Sequence, residues 1–253
     1  MIMHNLLNGR RVLVTGGARG LGLAFAEAIA GAGARVVIAD ILAEPLEAAA
    51  QTLRQRDLDV QALRLDLADP ASVEACAAKT VEMLGGLDGL VNNASITNSG
   101  GKNLEELEIE MFDRVLQVNV RGTWLMTRAC LPALRASGRG AVVNLASDTP
   151  LWGAPNLLAY VASKGAVIAM TRSIAREVGD DGVTVNAIAP GLVEVEATAY
   201  VPEARHQHYK QQRAIRRAQL PEDVNGAVLF ALSDLSRFIT GQTLPVNGGF
   251  VMP

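Results

Sequence analysis

The sequence predicts a doubly wound α/β domain built on a mostly parallel, seven-stranded sheet. Short apolar runs rich in β-branched residues alternate with longer segments of helical period, as strand-helix units feeding a parallel sheet require. Runs such as Val36-Val37-Ile38-Ala39 are apolar at every position, so both faces of that sheet must be covered by helices. A glycine-rich turn joins the first apolar run directly to a helical one.

The candidate strands are 11–15, 35–40, 60–67, 87–92, 141–145, 183–188 and 243–246. Helices fill the intervals. Asp69-Pro70 opens one with an N-cap and a proline in its first turn, and 112–129 forms another. Gly179 closes the helix that begins near Tyr160, and Pro221-Glu222-Asp223 starts the last one with acids in its first turn. Repeats, linkers and low-complexity tracts are absent, so residues 1–253 read as one domain. The least regular stretch, 192–219, follows the sixth strand at the edge where open α/β sheets bind ligands, and it is too long for a simple connection. It is expected to form a mobile lid, with Glu194, Glu196, Arg205, His206, His208 and Arg213 in water and Val195, Tyr200, Val201 and Tyr209 covering a ligand.

Composition narrows the partners. A net charge of −3 and a pI near 5.7 argue against nucleic acid. No uncharged apolar run is long enough for a membrane span, and the first residues do not resemble a secretory signal, so a cytoplasmic location is expected. Cys76 and Cys130 stand far apart without metal-ligand spacing and read as reduced structural thiols. His206 and His208, two positions apart on a helix, point in different directions and make a poor metal pair, so no metal is expected. The partner should be a small molecule.

The glycine turn runs Thr15-Gly16-Gly17-Ala18-Arg19-Gly20-Leu21-Gly22. Glycines let the backbone approach a pyrophosphate, and the free amides of the following helix favour its negative charge. Asp40 ends the second strand, where a carboxylate accepts hydrogen bonds from an adenosine ribose and repels the 2′-phosphate of NADP; this favours NAD. Arg19 either offsets a 2′-phosphate or stays solvated.

Tyr160-Val-Ala-Ser-Lys164 sets a phenol and an ammonium four residues apart on one helix face. Interconverting an alcohol and a ketone needs hydride transfer at a nicotinamide and proton transfer at oxygen, and the phenol is suited to the second task. Two nearby cations, Lys164 and an oxidised nicotinamide ring, would lower its pKa by about three units, roughly 4 kcal/mol. Ser147 ends the fifth strand shortly before Tyr160, and Asn119 lies in the preceding helix.

This ordered set resembles the short-chain dehydrogenase/reductase family in its single-domain form of roughly 250 residues. The likeness runs from about Gly9 to Gly249 through Asp66-Leu67, Asn92-Asn93-Ala94, Asn119, Ser147, Tyr160/Lys164, Pro190-Gly191 and Ile239-Thr-Gly-Gln-Thr-Leu. The resemblance implies a Rossmann fold, with Tyr160 as general acid/base and Ser147 on the substrate oxygen. Lys164 would lower the tyrosine pKa and bind the nicotinamide ribose, and Asn119 would hold a proton-relaying water. Cofactor contacts are implied for Gly16, Arg19, Gly20, Leu21, Gly22, Asp40, Asp66, Leu67, Asn93, Ala94, Pro190, Gly191 and Val193. A homotetramer assembled through the long helices and the last strand is also implied.

Three positions depart from the family pattern. Ser95 replaces a usual Gly and brings a side chain to the cofactor or substrate edge. Val195 replaces a usual Thr, so the nicotinamide carboxamide contact passes to backbone near Val193 or to another residue. Asn247 replaces a usual Asp. Trp152, with Leu151, Leu157 and Leu158, forms either an apolar substrate wall suited to an aromatic or alicyclic substrate or ordinary loop packing. The resulting expectation is an NAD-dependent alcohol dehydrogenase or ketone reductase. Its alternatives are an NADPH-dependent reductase of 3-oxoacyl groups on a carrier and a catalytically inactive NAD-binding regulator.

Overall fold

A computed structural model describes residues 5–252; residues 1–4, within the stretch read for a secretory signal, and residue 253 lie outside it. The aliphatic runs form β1 (Arg11–Thr15), β2 (Arg35–Asp40), β3 (Val60–Arg64), β4 (Gly89–Asn92), β5 (Ala141–Leu145), β6 (Thr184–Pro190) and β7 (Thr243–Val246). They make one sheet in the order β3-β2-β1-β4-β5-β6-β7, with every pairing parallel. The chain leaves β1 toward β2 and β3 on one side, then returns to place β4 on the other. This reversal opens a crevice at the carboxyl ends of β1 and β4.

Alternate strand residues face opposite layers. Val12, Val14, Val36, Ile38 and Val143 pack in the core formed with α1 (Gly20–Gly31), α2 (Ala43–Arg54) and α9 (Glu222–Leu232). Leu13, Val37, Leu90, Val142 and Val185 face α3 (Pro70–Leu84), α5 (Thr123–Ala136) and α7 (Leu158–Val178). Asp69 caps α3 by accepting a hydrogen bond from the Ala71 amide, with Pro70 in the first turn. Cys76 and Cys130 are buried free thiols, and burial pushes both pKa values up, that of Cys76 to about 11. No helix among the described residues is long and apolar enough to cross a membrane.

Several elements differ from expectation. The third strand stops at Arg64 rather than 67, because Asp66 turns the chain by accepting from the Ala68 amide while the Ser72 hydroxyl accepts from the Asp66 amide. The sixth extends to Pro190, paired with Val246. The single helix expected over 112–129 is instead α4 (Ile109–Leu116), a π-helical turn (Gln117–Gly122) and α5. Asn119 sits in that wide turn, and the Thr123 hydroxyl donates to its carbonyl.

At the amino-terminal edge of the sheet, Asp88 is fully buried and accepts from the Arg11 amide, the Arg11 Nε at 2.8 Å and the Arg139 Nε at 3.0 Å. Burial alone would raise its pKa, but the bonds from Arg11 and Arg139 outweigh it and hold the carboxyl at about 2. A depressed folded-state pKa stabilises the fold above the ordinary carboxylate range and loses that contribution as pH falls toward about 2. With the partly exposed arginines screened by water, the contribution is about 1–2 kcal/mol. Asp88→Asn should lower the chemical-denaturation midpoint at pH 7 and flatten the acid limb of stability between pH 4 and 2; an unchanged acid limb would assign acid sensitivity to other groups.

Candidate active site

The first turn of α1 has no side-chain cap; the residue before it, Arg19, is extended and makes no capping hydrogen bond. Its amides therefore point into the crevice with capacity for an anion. The loop is held tightly from behind. Gly16 has φ of +69°, and a Cβ on Gly22 would lie 1.9 Å from the Gly16 carbonyl oxygen, so neither tolerates a side chain. The Asn93 amide donates to the carbonyls of Thr15 and Gly16 at 3.0 and 3.1 Å, and the Thr15 hydroxyl accepts from the amides of Asn93 and Ala94.

The crevice has a volume of about 840 Å³, within the range of small-molecule sites. Its walls include Gly16, Arg19, Gly20, Leu21, Gly22, Asp40, Asp66, Leu67, Asn93, Ala94, Ser95, Ser147, Tyr160, Lys164, Pro190, Gly191 and Val193. Two expected residues are not among them. Asn119 spends its side chain on the Ile96 amide at 2.7 Å, the Ile96 carbonyl at 3.0 Å and the Ser163 hydroxyl at 3.1 Å, so it anchors the loop after β4. Trp152, at the end of a short helix α6 (Thr149–Trp152), turns away to pack against His208, Tyr209 and Phe250. Leu151, Leu157 and Leu158 also stand outside the crevice.

Asp40 uses one oxygen on the Ala18 amide at 3.2 Å and the other on the Leu42 amide at 3.1 Å, so its carboxylate is fixed at the crevice wall beside the glycine loop. Ser147 follows β5, and its oxygen accepts from the Thr149 amide and hydroxyl. Tyr160 and Lys164 share a face of α7, with the ammonium 5.6 Å from the phenol ring centre. Lys164 Nζ donates to the Leu145 carbonyl at 2.6 Å, and burial lowers its pKa to about 8.

The lowering expected of the Tyr160 phenol needs two cations together, and the chain's own groups do not supply it. Burial raises its pKa, with Ser147 offsetting part of the rise and Tyr200 and Asp148 adding to it. In the protein alone the lysine does not overcome desolvation, and the phenol keeps its proton.

The first part of the 192–219 segment borders the crevice. Val193, Val195, Ala197 and Thr198 line the crevice, and the Tyr200 hydroxyl donates to the carbonyl of Thr97, another wall residue. Farther on, α8 (Glu203–Gln212) is tied down. Tyr209 is buried rather than poised over a ligand, and Arg213 is only 3% exposed, contrary to its expected place in water. Arg213 donates to the carbonyls of Arg217 and Leu192, which ties the end of the helix to both ends of the segment.

Sequence reading missed Ile96, Thr97, Ala197 and Thr198 as wall residues. Thr198 supplies a hydroxyl near the departure at Val195, but it already donates toward the Val193 and Val195 carbonyls. Its place depends on the 3₁₀ turn Glu196–Thr198, which no local motif announces. No group of three or more potential metal ligands occurs among the described residues.

Comparison with known proteins bears on this arrangement. A family model described as enoyl-(acyl carrier protein) reductase matches residues 16–251. A 3-alpha-(or 20-beta)-hydroxysteroid dehydrogenase of Mycobacterium tuberculosis is 38% identical over 98% of this chain and 92% of its own length. A 2,5-dichloro-2,5-cyclohexadiene-1,4-diol dehydrogenase of Sphingobium indicum is 37% identical, covering 98% of each. The crystal structure of levodione reductase superposes with a TM-score of 0.90 at 32% identity, over 96% of this chain and 98% of that one. With the parallel sheet, the glycine crevice and the Ser-Tyr-Lys constellation in place, this breadth of agreement shows that the chain is an oxidoreductase belonging to the short-chain dehydrogenase/reductase family.

Proposed function

We propose that the protein transfers hydride between NAD(H) and a secondary alcohol or its ketone on a ring-bearing small molecule. The observation that carries this reading is that Ser147, Tyr160 and Lys164 line the same crevice as the uncapped start of α1 and Asp40. The residues present fit a dinucleotide. Gly16–Gly22 provide close backbone approach for a pyrophosphate, Asp40 stands where it would accept from the adenosine ribose, and Asp66 and Leu67 lie along the wall suited to the adenine. Bound there, the dinucleotide would supply or accept the hydride.

The chain's own groups handle oxygen and proton. Ser147 donates its hydroxyl hydrogen to the substrate oxygen and Tyr160, protonated at rest, delivers a proton to the same atom in ketone reduction. Lys164 contributes positive charge beside the phenol. Alcohol oxidation requires the phenolate, which this buried site disfavours until further positive charge arrives. Asn119 acts from behind, through Ile96, and Val193 with its neighbours closes the nicotinamide side.

The ring-bearing substrate is supported by the steroid and cyclohexadienediol named for two relatives and by Ile96, Val195 and Ala197 on the crevice wall. A second reading, reduction of a carrier-bound acyl group with NADPH, takes support from the family model's description. Asp40 weighs against NADPH because its carboxylate would meet the 2′-phosphate. Assembly as a cytoplasmic homotetramer belongs to the same proposal. Leu235, Phe238, Ile239 and Leu244 stand exposed around the edge strand β7, an apolar surface fit for a second copy.

A panel of cyclic alcohols and ketones with NAD(H) and NADP(H) tests the assignment, with NAD favoured at least tenfold in kcat/KM; equal or better use of NADP would overturn the cofactor choice, and no turnover of any kind would favour a binding regulator. Asp40→Ala should narrow the preference. In Tyr160→Phe, turnover should fall by about 10² or more while NADH binding, followed by fluorescence, is kept; near-normal turnover would remove Tyr160 from the acid/base role. Sedimentation at micromolar concentration should give a tetramer, and a single monomeric species would refute the assembly.

A further inference from the structure

The residue after Ser147 is a buried carboxylate that neither donates nor accepts the transferred hydride or proton in the proposed chemistry. Asp148 is 0% exposed, and its amide donates to the Pro190 carbonyl, tying the end of β5 to the end of β6. One carboxylate oxygen accepts from the Tyr209 hydroxyl at 2.9 Å, and that hydroxyl also accepts from the Trp152 indole at 3.3 Å. The other oxygen is buried without any hydrogen-bond partner. It faces Gly191, where an added Cβ would sit 3.1 Å from it and 3.2 Å from the Arg213 guanidinium.

What covers the carboxylate is the second half of the 192–219 segment. Tyr209 of α8 lies over it, stacked on Phe250 with ring centres 4.2 Å apart, and the Arg213 guanidinium lies 5.1 Å from the Tyr209 ring. The other groups facing it are Trp152 from α6, Tyr160 from α7 and Asn247 beyond β7. Arg213 is the one cation among these neighbours, and it is itself buried, with its Nε unpartnered. Asp223 and Arg217 lie beyond Arg213, and Arg205 acts on Tyr209.

We propose that Asp148 is a positioning residue for the lid: docking of α8 over its carboxylate is linked to uptake of a proton there, so the lid holds more firmly when Asp148 is neutral. A charged carboxylate with one oxygen dry and unpaired is costly to cover, and a neutral one is less so. Burial pushes this carboxyl up to about 6, although Tyr209, Arg213, Asn247 and Trp152 all favour the charged form. The docked state therefore binds the proton more tightly than an open state in which the carboxylate meets water. Docking is fully supported below the ordinary carboxylate pKa and loses that support as pH rises through about 6. Because Asp148 adjoins Ser147 and Arg213 holds the Leu192 carbonyl, the same event positions both sides of the crevice.

Hydrogen exchange of the full chain without ligands, at pH 5 and pH 8 and normalised to intrinsic rates, tests this independently of the redox assignment. Opening of residues 203–213 should be about tenfold greater at pH 8 than at pH 5. In Asp148→Asn, a neutral replacement of the same shape, the difference should shrink below about twofold, with protection like that of the unmutated chain at pH 5. Tyr209→Phe keeps the ring stacking but removes a bond to the charged form, so its transition should move to higher pH. Equal opening of the unmutated chain at both pH values would overturn the proposal. So would a full dependence surviving in Asp148→Asn, which would place the titrating group elsewhere. If that variant fails to fold, Tyr209→Phe decides: an upward shift supports the linkage and an unmoved transition overturns it.

Discussion

The absence of a side chain at Gly22 is the constraint on which the crevice depends. Its Cα meets the Gly16 carbonyl so closely that only hydrogen fits, and the Asn93 amide fills the remaining space. That contact brings the start of α1 against the end of β1, and Asn93 brings in the end of β4. Three elements thus converge on one backbone turn, whose outer side is left bare. A methyl group at Gly22 would separate them, and no distant adjustment compensates because the contact is backbone to backbone.

Much of this was legible from local chemistry. The strands were readable because a sheet buried on both faces writes continuous apolar runs, and the glycine turn because its order after a strand and before a helix is specific. Asp40, Ser147, Tyr160 and Lys164 lie along the crevice walls in keeping with that reading. Asn119 and Trp152 do not line the crevice, for a different reason. Both have side chains able to face either way, and neighbours distant in sequence choose the direction: Ile96 and Ser163 for Asn119, Tyr209 and Phe250 for Trp152. The 192–219 segment misled in the same way, since an arginine or tyrosine reads as surface until its buried partner is known.

The electrostatics of the crevice likewise depend on more than residue identity. A tyrosine four residues from a lysine invites the expectation of a lowered pKa, but both groups are buried and the lysine is engaged by the Leu145 carbonyl. Desolvation acts on each of them in the direction of neutrality, raising the phenol and lowering the ammonium. At neutral pH the resting site therefore pairs a neutral phenol with a lysine that is still mostly protonated.

The strand order carries a consequence for how the protein comes into being. Val12 of β1 pairs with Val36 of β2 but also with Gly89 of β4, far along the chain, and each parallel pairing needs a long crossover. Such topologies fold slowly because chain closure precedes the contacts that reward it. The β1-β2 pair can form early from near neighbours, whereas the crevice has no floor until β4 arrives and Asn93 grips the glycine turn. On a ribosome, the amides of the glycine turn emerge before Asn93, which fixes their shape, and before Ser147, Tyr160 and Pro190, which complete the walls, so the binding surface forms only once residues distant in sequence have joined it.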